Sequence, residues 1–398
     1  VARRLKVLWL SPGFLHPTNR GGQIRTLEIL RHLHLRHEIH FLGLHDGSAE
    51  AIEKSAEYCS KVWPVPYVLA PKNSAKFWVQ SLRGLVSREP VVVARKHSRE
   101  MHELARQLLK QHCYDRVVCD FLTSTINLPS SEAFILFEHN VETQIWQRYA
   151  ERAGLNRRWY FLRQAESVRR FERAACIRAA RVIAVSKADA ELLGKLHGIS
   201  NVDVVPTGVD AAYFARPSTI TREAASGLVF CGSMDWRPNV DGILWFVREV
   251  LPVIHRQQPS CTLTIVGRKP QAAIWQLPAK NPLIRVTGTV DDVRPYLWVG
   301  RVSIVPLHAG GGTRLKIYES MAAEVPVVST TVGAEGLEVT SPHNIRIADT
   351  AESFAEACLT LLENDAEHKR QTTAAERLVR ENFSWRRAAD RFDEILQS

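Results

Sequence analysis

The sequence predicts an α/β chain built from two doubly wound parallel-sheet domains, on three observations. Short apolar runs alternate with helical patterns from one end to the other, the pattern of parallel strands covered by helices on both faces. At 398 residues the chain is too long for one compact core. A stretch at 206–226, with Pro206, Gly208, Pro217 and a run of small and polar residues, separates two such series and reads as the interdomain connection.

In the first series the strand runs fall at 5–10, 39–44, 117–119, 134–137, 183–185 and 202–205, with helices filling the gaps. From 146 to 181, ten arginines alternate with Trp159, Tyr160, Phe161, Leu162 and Phe171, and this reads as one long amphipathic helix. Two readings of that helix stay open. It packs on its own domain with a solvated arginine face, or it faces a membrane or an acceptor. The second series opens at 228–231 and continues through 263–266, 284–286, 302–306, 327–329 and 345–347. Helices at 354–363 and 365–396 close the chain, the last interrupted at 382–384, where Ser384 is a candidate cap.

A hydrophobic content of 45% with 24% charged residues describes a globular protein and excludes a disordered or fibrous one. No apolar run reaches the length of a membrane-spanning helix, and the basic start, ended by Pro12, reads as a first strand rather than a secretion signal. Seven cysteines, at 59, 113, 119, 176, 231, 261 and 358, form no Cys-x-x-Cys pair and read as buried thiols in a reducing cytoplasm. The net charge of +10 is uneven, because residues 1–217 carry 32 basic and 21 acidic side chains. Such a half suits an anionic membrane surface or a phosphorylated substrate. A nucleic-acid binder is excluded by the lack of a groove-reading element or an aromatic stacking sheet.

Ligands in doubly wound sheets bind at the carboxyl ends of the strands, so the loops that follow the strands carry the chemistry. The most informative is 309–319. Gly310, Gly311 and Gly312 let backbone N–H groups approach an anion, and a helix opening near Thr313 aims its positive end at the same place. Arg314 and Lys316 add charge, and Glu319, one turn on, is placed to accept hydrogen bonds from the vicinal hydroxyls of a ribose. Around it, the other second-half loops present Gly232 and Arg237, Gly267 and Arg268, and Val290. A base against Val290, phosphates toward Arg237, Arg314 and Lys316, and a ribose on Glu319 is the expected arrangement.

In the first half, Gly21 and Gly22 open a helix after the first strand. This is not a Gly-x-Gly-x-x-Gly turn, which argues against a nicotinamide enzyme. The pair closes over a phosphate, lies beneath a sugar, or forms a tight loop without a ligand. His139 and Asn140 stand at a strand end, His139 as a hydrogen-bond donor to a sugar or phosphate. Ser186 and Lys187 follow the next strand, as ligand contacts or as a helix cap with a surface lysine.

Over nearly its whole length the layout resembles the retaining glycosyltransferases of the GT-B fold, family 4 in particular. The carriers are Gly21-Gly22, Glu138-His139-Asn140, Val185-Ser186-Lys187, Pro206-Thr-Gly-Val-Asp210, Phe230-Cys-Gly-Ser233, Val266-Gly267, Gly288-x-Val-x-Asp292 and Lys316-Ile-Tyr-Glu-Ser-Met-Ala-Ala-Glu-Val-Pro-Val-Val-Ser329. The resemblance implies two Rossmann-like domains facing across a cleft: 1–210 for the acceptor, a linker at 211–226, 227–380 for the nucleotide sugar, and a helix at 381–398 returning to the first domain. It implies transfer of a sugar from a nucleotide-diphosphate donor to a glycan or lipid-linked acceptor with retention of configuration.

With no Asp-x-Asp anywhere in the chain, metal-independent transfer is expected, and no cofactor beyond the co-substrate. A UDP-sugar is favoured over a GDP-sugar. Catalytic roles fall to His139, Glu319 and Arg314, and the expected place of action is the cytoplasm, peripheral to the inner face of the membrane.

Two departures from the family pattern stand out. The first glutamate of the family's Glu-x7-Glu pair falls on Gly311, and the Arg and Lys often found after the first strand of the second domain are replaced by Ser233 and Asn239. Arg237 and Arg314 are expected to replace that charge. The alternative in another reaction class is a sugar-nucleotide 2-epimerase of the same architecture, for which Gly311 leaves few acid and base groups.

Overall fold

The computed structural model describes residues 3–18, 20–68, 74, 89–220 and 225–398. The chain forms two compact units, Val1–Thr207 with Trp385–Ser398, and Gly208–Ser384.

In the first unit seven parallel strands pair in the order β3-β2-β1-β4-β5-β6-β7. They are β1 (Lys6–Ser11), β2 (Glu38–His45), β3 (Lys61–Pro66), β4 (Arg116–Asp120), β5 (Ile135–Phe137), β6 (Arg181–Ala184) and β7 (Val202–Val204). The central strands are apolar on both faces because helices cover both, so β1 carries Val7, Leu8, Trp9 and Leu10 without alternation, all fully buried. The sequence pattern did not disclose β3. Its Lys-Val-Trp-Pro-Val-Pro holds two prolines, which cannot donate to a ladder, and the strand is tolerated because it lies at the sheet edge, paired only to β2.

Helix α1 (Gly21–Leu33) follows β1. The single helix expected over 146–181 is instead a pair, α2 (Glu142–Arg152) and α3 (Leu155–Arg178), broken at Ala153-Gly154. Gly154 adopts an extended ψ of 154° there and heads α3. Trp146 and Tyr149 of α2 then meet Phe161 of α3 at 6.2 and 6.0 Å between ring centres, so packing of aromatic faces favours the fold-back over a continuous rod. Ser186 caps α4 (Lys187–His197) by accepting from the Asp189 amide, and Lys187 is exposed. The terminal helix, Trp385–Gln397, belongs to this unit. Phe392 stacks 5.3 Å from Trp9, while Asp390 and Asp393 take Arg36 at 2.5 and 3.0 Å.

The second unit holds six parallel strands in the order β10-β9-β8-β11-β12-β13. They are β8 (Leu228–Cys231), β9 (Leu263–Val266), β10 (Ile284–Gly288), β11 (Val302–Val305), β12 (Val327–Ser329) and β13 (Arg346–Ile347). Two helices position the site: α5 (Arg237–Trp245) after β8 and α6 (Leu315–Ala322) after β11. Residues 208–220, read from the sequence in part as a connection, are anchored in this unit. Asp210 caps a short helix, Ala211–Phe214, whose last carbonyl accepts from the Trp298 indole at 2.9 Å, and Arg294 lies 3.7 Å over the Tyr213 ring. Of the rest of that stretch, 221–224 lie outside the described residues.

Six of the seven cysteines are buried as expected, but Cys113 is exposed, beyond the end of a helix at the start of the loop into β4. Among the described residues no helix is long and apolar enough to cross a membrane.

Candidate active site

In the second unit the loops after β8, β9 and β11 converge on the start of α6. Gly310 has φ 129° and Gly312 φ 69°, conformations that a side chain would strain. A Cβ on Gly310 would also lie 2.7 Å from Arg314 Nη2 and 2.8 Å from the Trp236 ring. Arg314 is buried and turned inward: its Nη1 donates to the carbonyls of both Gly311 and Gly312, and its guanidinium lies 5.6 Å from the Trp236 ring centre. With those carbonyls drawn onto the arginine, the amides remain. Among the described residues the N–H groups of Gly311 and Gly312 donate to no protein acceptor. Helix α6 begins at Leu315, two residues after the expected opening, with Arg314 at its N-cap and no side-chain cap bond. Uncapped amides at a helix start favour an anion.

Lys316 reaches from the first turn of α6 to the β8 loop. Its ammonium donates to Asn239 Oδ1 at 2.9 Å and sits 4.2 Å from the Phe230 ring centre. Asn239 in turn donates to the Ser233 carbonyl. Gly232 makes room for this meeting, since a Cβ there would stand 2.4 Å from Lys316 Nζ. Gly267 serves the layer beneath: its Cβ would collide with the Gly232 carbonyl at 1.8 Å. Burial pushes Lys316 down to about 7, with the Arg314 charge adding to the fall and Glu319 opposing it. Burial pushes Glu319 up to about 7, against the pull of Lys316. Among the described residues the Glu319 carboxylate accepts no hydrogen bond and joins no ion pair, so its acceptor sites are available to hydroxyl donors.

Three further expected contacts are placed as follows. Arg237, expected on the phosphates, is largely exposed and turns along α5 to Asp241 at 3.2 Å. Arg314 and Lys316, the other two cations expected there, sit at the start of α6. Arg268 bonds Ser233 Oγ at 2.8 Å and lies 3.3 Å from Asp235, bracing the β8 loop. Val290 packs, with Trp236, against the apolar cluster of this unit.

In the first unit the strand-end residues form one buried polar network. The Asp120 carboxylate, at the end of β4, takes His139 Nε2 at 2.6 Å, Thr26 Oγ1 at 3.0 Å and Ser11 Oγ at 3.3 Å. Arg25 donates to His139 Nδ1 at 2.9 Å and to Thr207 Oγ1 at 2.7 Å. Phe121 stacks flat on the imidazole at 3.9 Å, and a Cβ on Gly22 would strike that ring at 2.5 Å. Gly22 therefore permits close packing of α1 on Phe121, while Gly21 starts the helix.

His139, expected to donate to a sugar or phosphate, has both ring nitrogens engaged by protein and is fully buried. With Arg25 donating to Nδ1, the proton lies on Nε2, facing Asp120. Burial holds the imidazole below its ordinary pKa, with Asp120 opposing. Asn140 is turned to Glu142, whose carboxyl burial pushes up to about 7.

Asp120, Arg25, Thr26 and Thr207 carry this network and drew no role from the sequence. A strand-end acid such as Asp120 was the available signal. Trp236 drew no role either, and Asn239 was read only as a missing charge, because only the fold brings Trp236 to Gly310 and Asn239 to Lys316.

A family model described as "Glycosyltransferase Family 4" matches residues 19–213, and a second, "Glycosyl transferases group 1", matches 225–364. Between them they take in both clusters and most of the chain. The chain belongs to the group 1, family 4 glycosyltransferases. Its fold is similar to that of the sucrose-phosphate synthase of Thermosynechococcus elongatus, with a TM-score of 0.74 and 17% identity over 98% of each chain. It is also similar to HepE of Anabaena in complex with UDP-glucose, with a TM-score of 0.68 and 14% identity over 99% of each chain. At these identities the likeness speaks for the GT-B fold. Among curated proteins this glycosyltransferase is 25% identical over 209 residues to a glycogen synthase of Mycobacterium tuberculosis, half of this chain and 48% of that one. The chain spans about half the length of the curated relatives it matches.

Proposed function

We propose that this glycosyltransferase moves a hexosyl group from a nucleotide-diphosphate sugar, a UDP-sugar first, to a glycan or lipid-linked acceptor, with retention of configuration and without a metal. The observation that carries the reading is the start of α6. There, unpartnered amides of Gly311 and Gly312, the half-buried Lys316 and an unengaged Glu319 carboxylate lie within two helical turns. The diphosphate takes the amides and Lys316, and the ribose hydroxyls take Glu319. A dianionic leaving group entering beside Lys316 raises its pKa and keeps it charged, so the ammonium neutralises the charge that grows on the departing phosphate. Arg314 acts by holding the glycine loop.

In the retaining step, the bond between the anomeric carbon and the diphosphate oxygen breaks while the acceptor oxygen bonds to the same face. The acceptor proton passes to the leaving phosphate. His139 is a positioning residue in this reading, locking Phe121, Arg25 and α1 at the end of the first sheet. HepE, seen with UDP-glucose, supports UDP as the first nucleotide to test. Free and mostly buried cysteines suit a reducing cytoplasm.

A melting panel with UDP, GDP and ADP identifies the nucleotide, the right one raising the midpoint by mass action. Product NMR then reads the anomeric configuration, and turnover in EDTA reads the need for metal. Calorimetry that detects no uptake of any sugar nucleotide would overturn the reading.

A further inference from the structure

Helix α3 carries two apolar faces, and among the described residues only one is buried. Ala165, Val168, Ala175 and Cys176 are buried against the first unit. On the other side Leu155, Trp159 and Leu162 are 85%, 63% and 52% exposed. At 3.6 residues per turn these three fall within about 60° of one another on the helix surface. Trp159 takes no part in the aromatic contacts of Trp146, Tyr149, Tyr160 and Phe161 that brace α2 against α3. The stripe is thus held outward on a supported helix.

Basic side chains line both edges of this stripe. By the same geometry Arg158 and Arg169 fall on one flank and Arg163 and Arg170 on the other, and all but the partly covered Arg169 are exposed. Glu166, the one acid on the stripe, is paired to Arg169 and Arg170 at 2.7 Å each. The chain's excess of positive charge also lies in this half, with 32 basic against 21 acidic side chains over residues 1–217.

We propose that this face of α3 docks on an anionic lipid bilayer, an interaction distinct from donor binding and independent of it. Leu155, Trp159 and Leu162 enter the boundary between headgroups and acyl chains, where an indole is favoured, and the flanking guanidiniums meet lipid phosphates. Charge complementarity selects this occupant. A sugar acceptor does not call for a leucine stripe, and a second copy of the chain would bring the same arginines against their like.

The test is co-sedimentation of the full chain with vesicles of phosphatidylglycerol and phosphatidylcholine, against vesicles of phosphatidylcholine alone. Wild-type protein is expected to bind the anionic vesicles at least tenfold more strongly, with binding falling as salt rises. L155E/W159E is expected to lose at least tenfold in partition, and R158E/R163E likewise, with circular dichroism and UDP-induced melting shifts unchanged. If the double glutamate variant does not fold, W159Q is read in its place, with a severalfold loss expected. No binding of wild type to anionic vesicles overturns the proposal. So does binding that L155E/W159E or W159Q leaves intact, or light scattering that shows the stripe mediating a dimer without vesicle binding. None of these readouts uses sugar transfer, so failure here is separable from failure of the proposed activity.

Discussion

Glu319→Gln is expected to stabilise the empty enzyme and weaken its grip on the donor. Burial raises the carboxyl from 4.5 to about 7, which corresponds to a cost of roughly 3 kcal/mol for the ionised form. The carboxylate is only partly buried, so about 2 kcal/mol is the recoverable share. A raised folded pKa means that the group's stabilising contribution is complete below pH 4.5 and is lost as pH rises through 7. The gain from the amide therefore appears above pH 7 and vanishes near pH 4.5.

Lys316 runs the other way. Its pKa is lowered from 10.5 to about 7, so its cost grows as pH falls below 10.5 and is complete below 7, where the ammonium is charged and losing the Glu319 anion deepens it. At pH 8 Lys316 is mostly neutral, so the measurement belongs there. For a unit of this size, ~2 kcal/mol is ~5 °C in melting midpoint. Calorimetric melting of apo enzyme at pH 8 and pH 4.5, with nucleotide titration at pH 8, reads both effects. Donor binding should weaken by roughly 10–100-fold through loss of hydrogen bonds to a charged acceptor. A variant that melts no higher at pH 8 and binds UDP-sugar as wild type does would refute both the electrostatic account and the ribose assignment.

Two glycines separate site from scaffold. Gly232→Ala places a Cβ against the mobile ends of Lys316 and Asn239, so stability should change by under about 1 kcal/mol while calorimetry shows at least tenfold weaker nucleotide binding. Gly267→Ala meets the Gly232 carbonyl instead, and denaturant unfolding should show a loss of about 3 kcal/mol or more. Asp120→Asn leaves His139, Thr26 and Arg25 without their buried anion, which should cost the first unit ~3 kcal/mol in denaturant melts. In Asp393, burial alone would raise the carboxyl, but hydrogen bonds from Arg36 and His37 bring it below its ordinary value. Its contribution is thus present above pH 3.8 and lost as pH falls below it, and Asp393→Ala should speed amide exchange in the terminal helix at pH 7 but not at pH 2.

The sequence by itself determined the fold class and the glycine-loop helix start. Both rest on local rules: strands covered on both faces must be apolar throughout, and glycine followed by a basic helix start is a contiguous signal. Residues 228–231, 263–266 and 302–305 were legible for the first reason, and Lys316 and Glu319 for the second. What it could not show was β3, whose prolines are admissible only at an edge that pairing defines, and the break at Gly154, where α2 and α3 gain more from facing rings than from continuity.

Only the tertiary structure decided where side chains end up. Asn239 receives Lys316 across 77 positions, and Arg25 joins Thr207 across 182. It also turned Arg237 outward, and it closed His139 between Asp120 and Arg25, because a buried imidazole must have both nitrogens satisfied and the end of β4 and the first turns of α1 supplied the partners. Local composition fixes which residues are suited to a charge or a ligand. Distances between segments far apart in the chain fix which of them are already taken by protein.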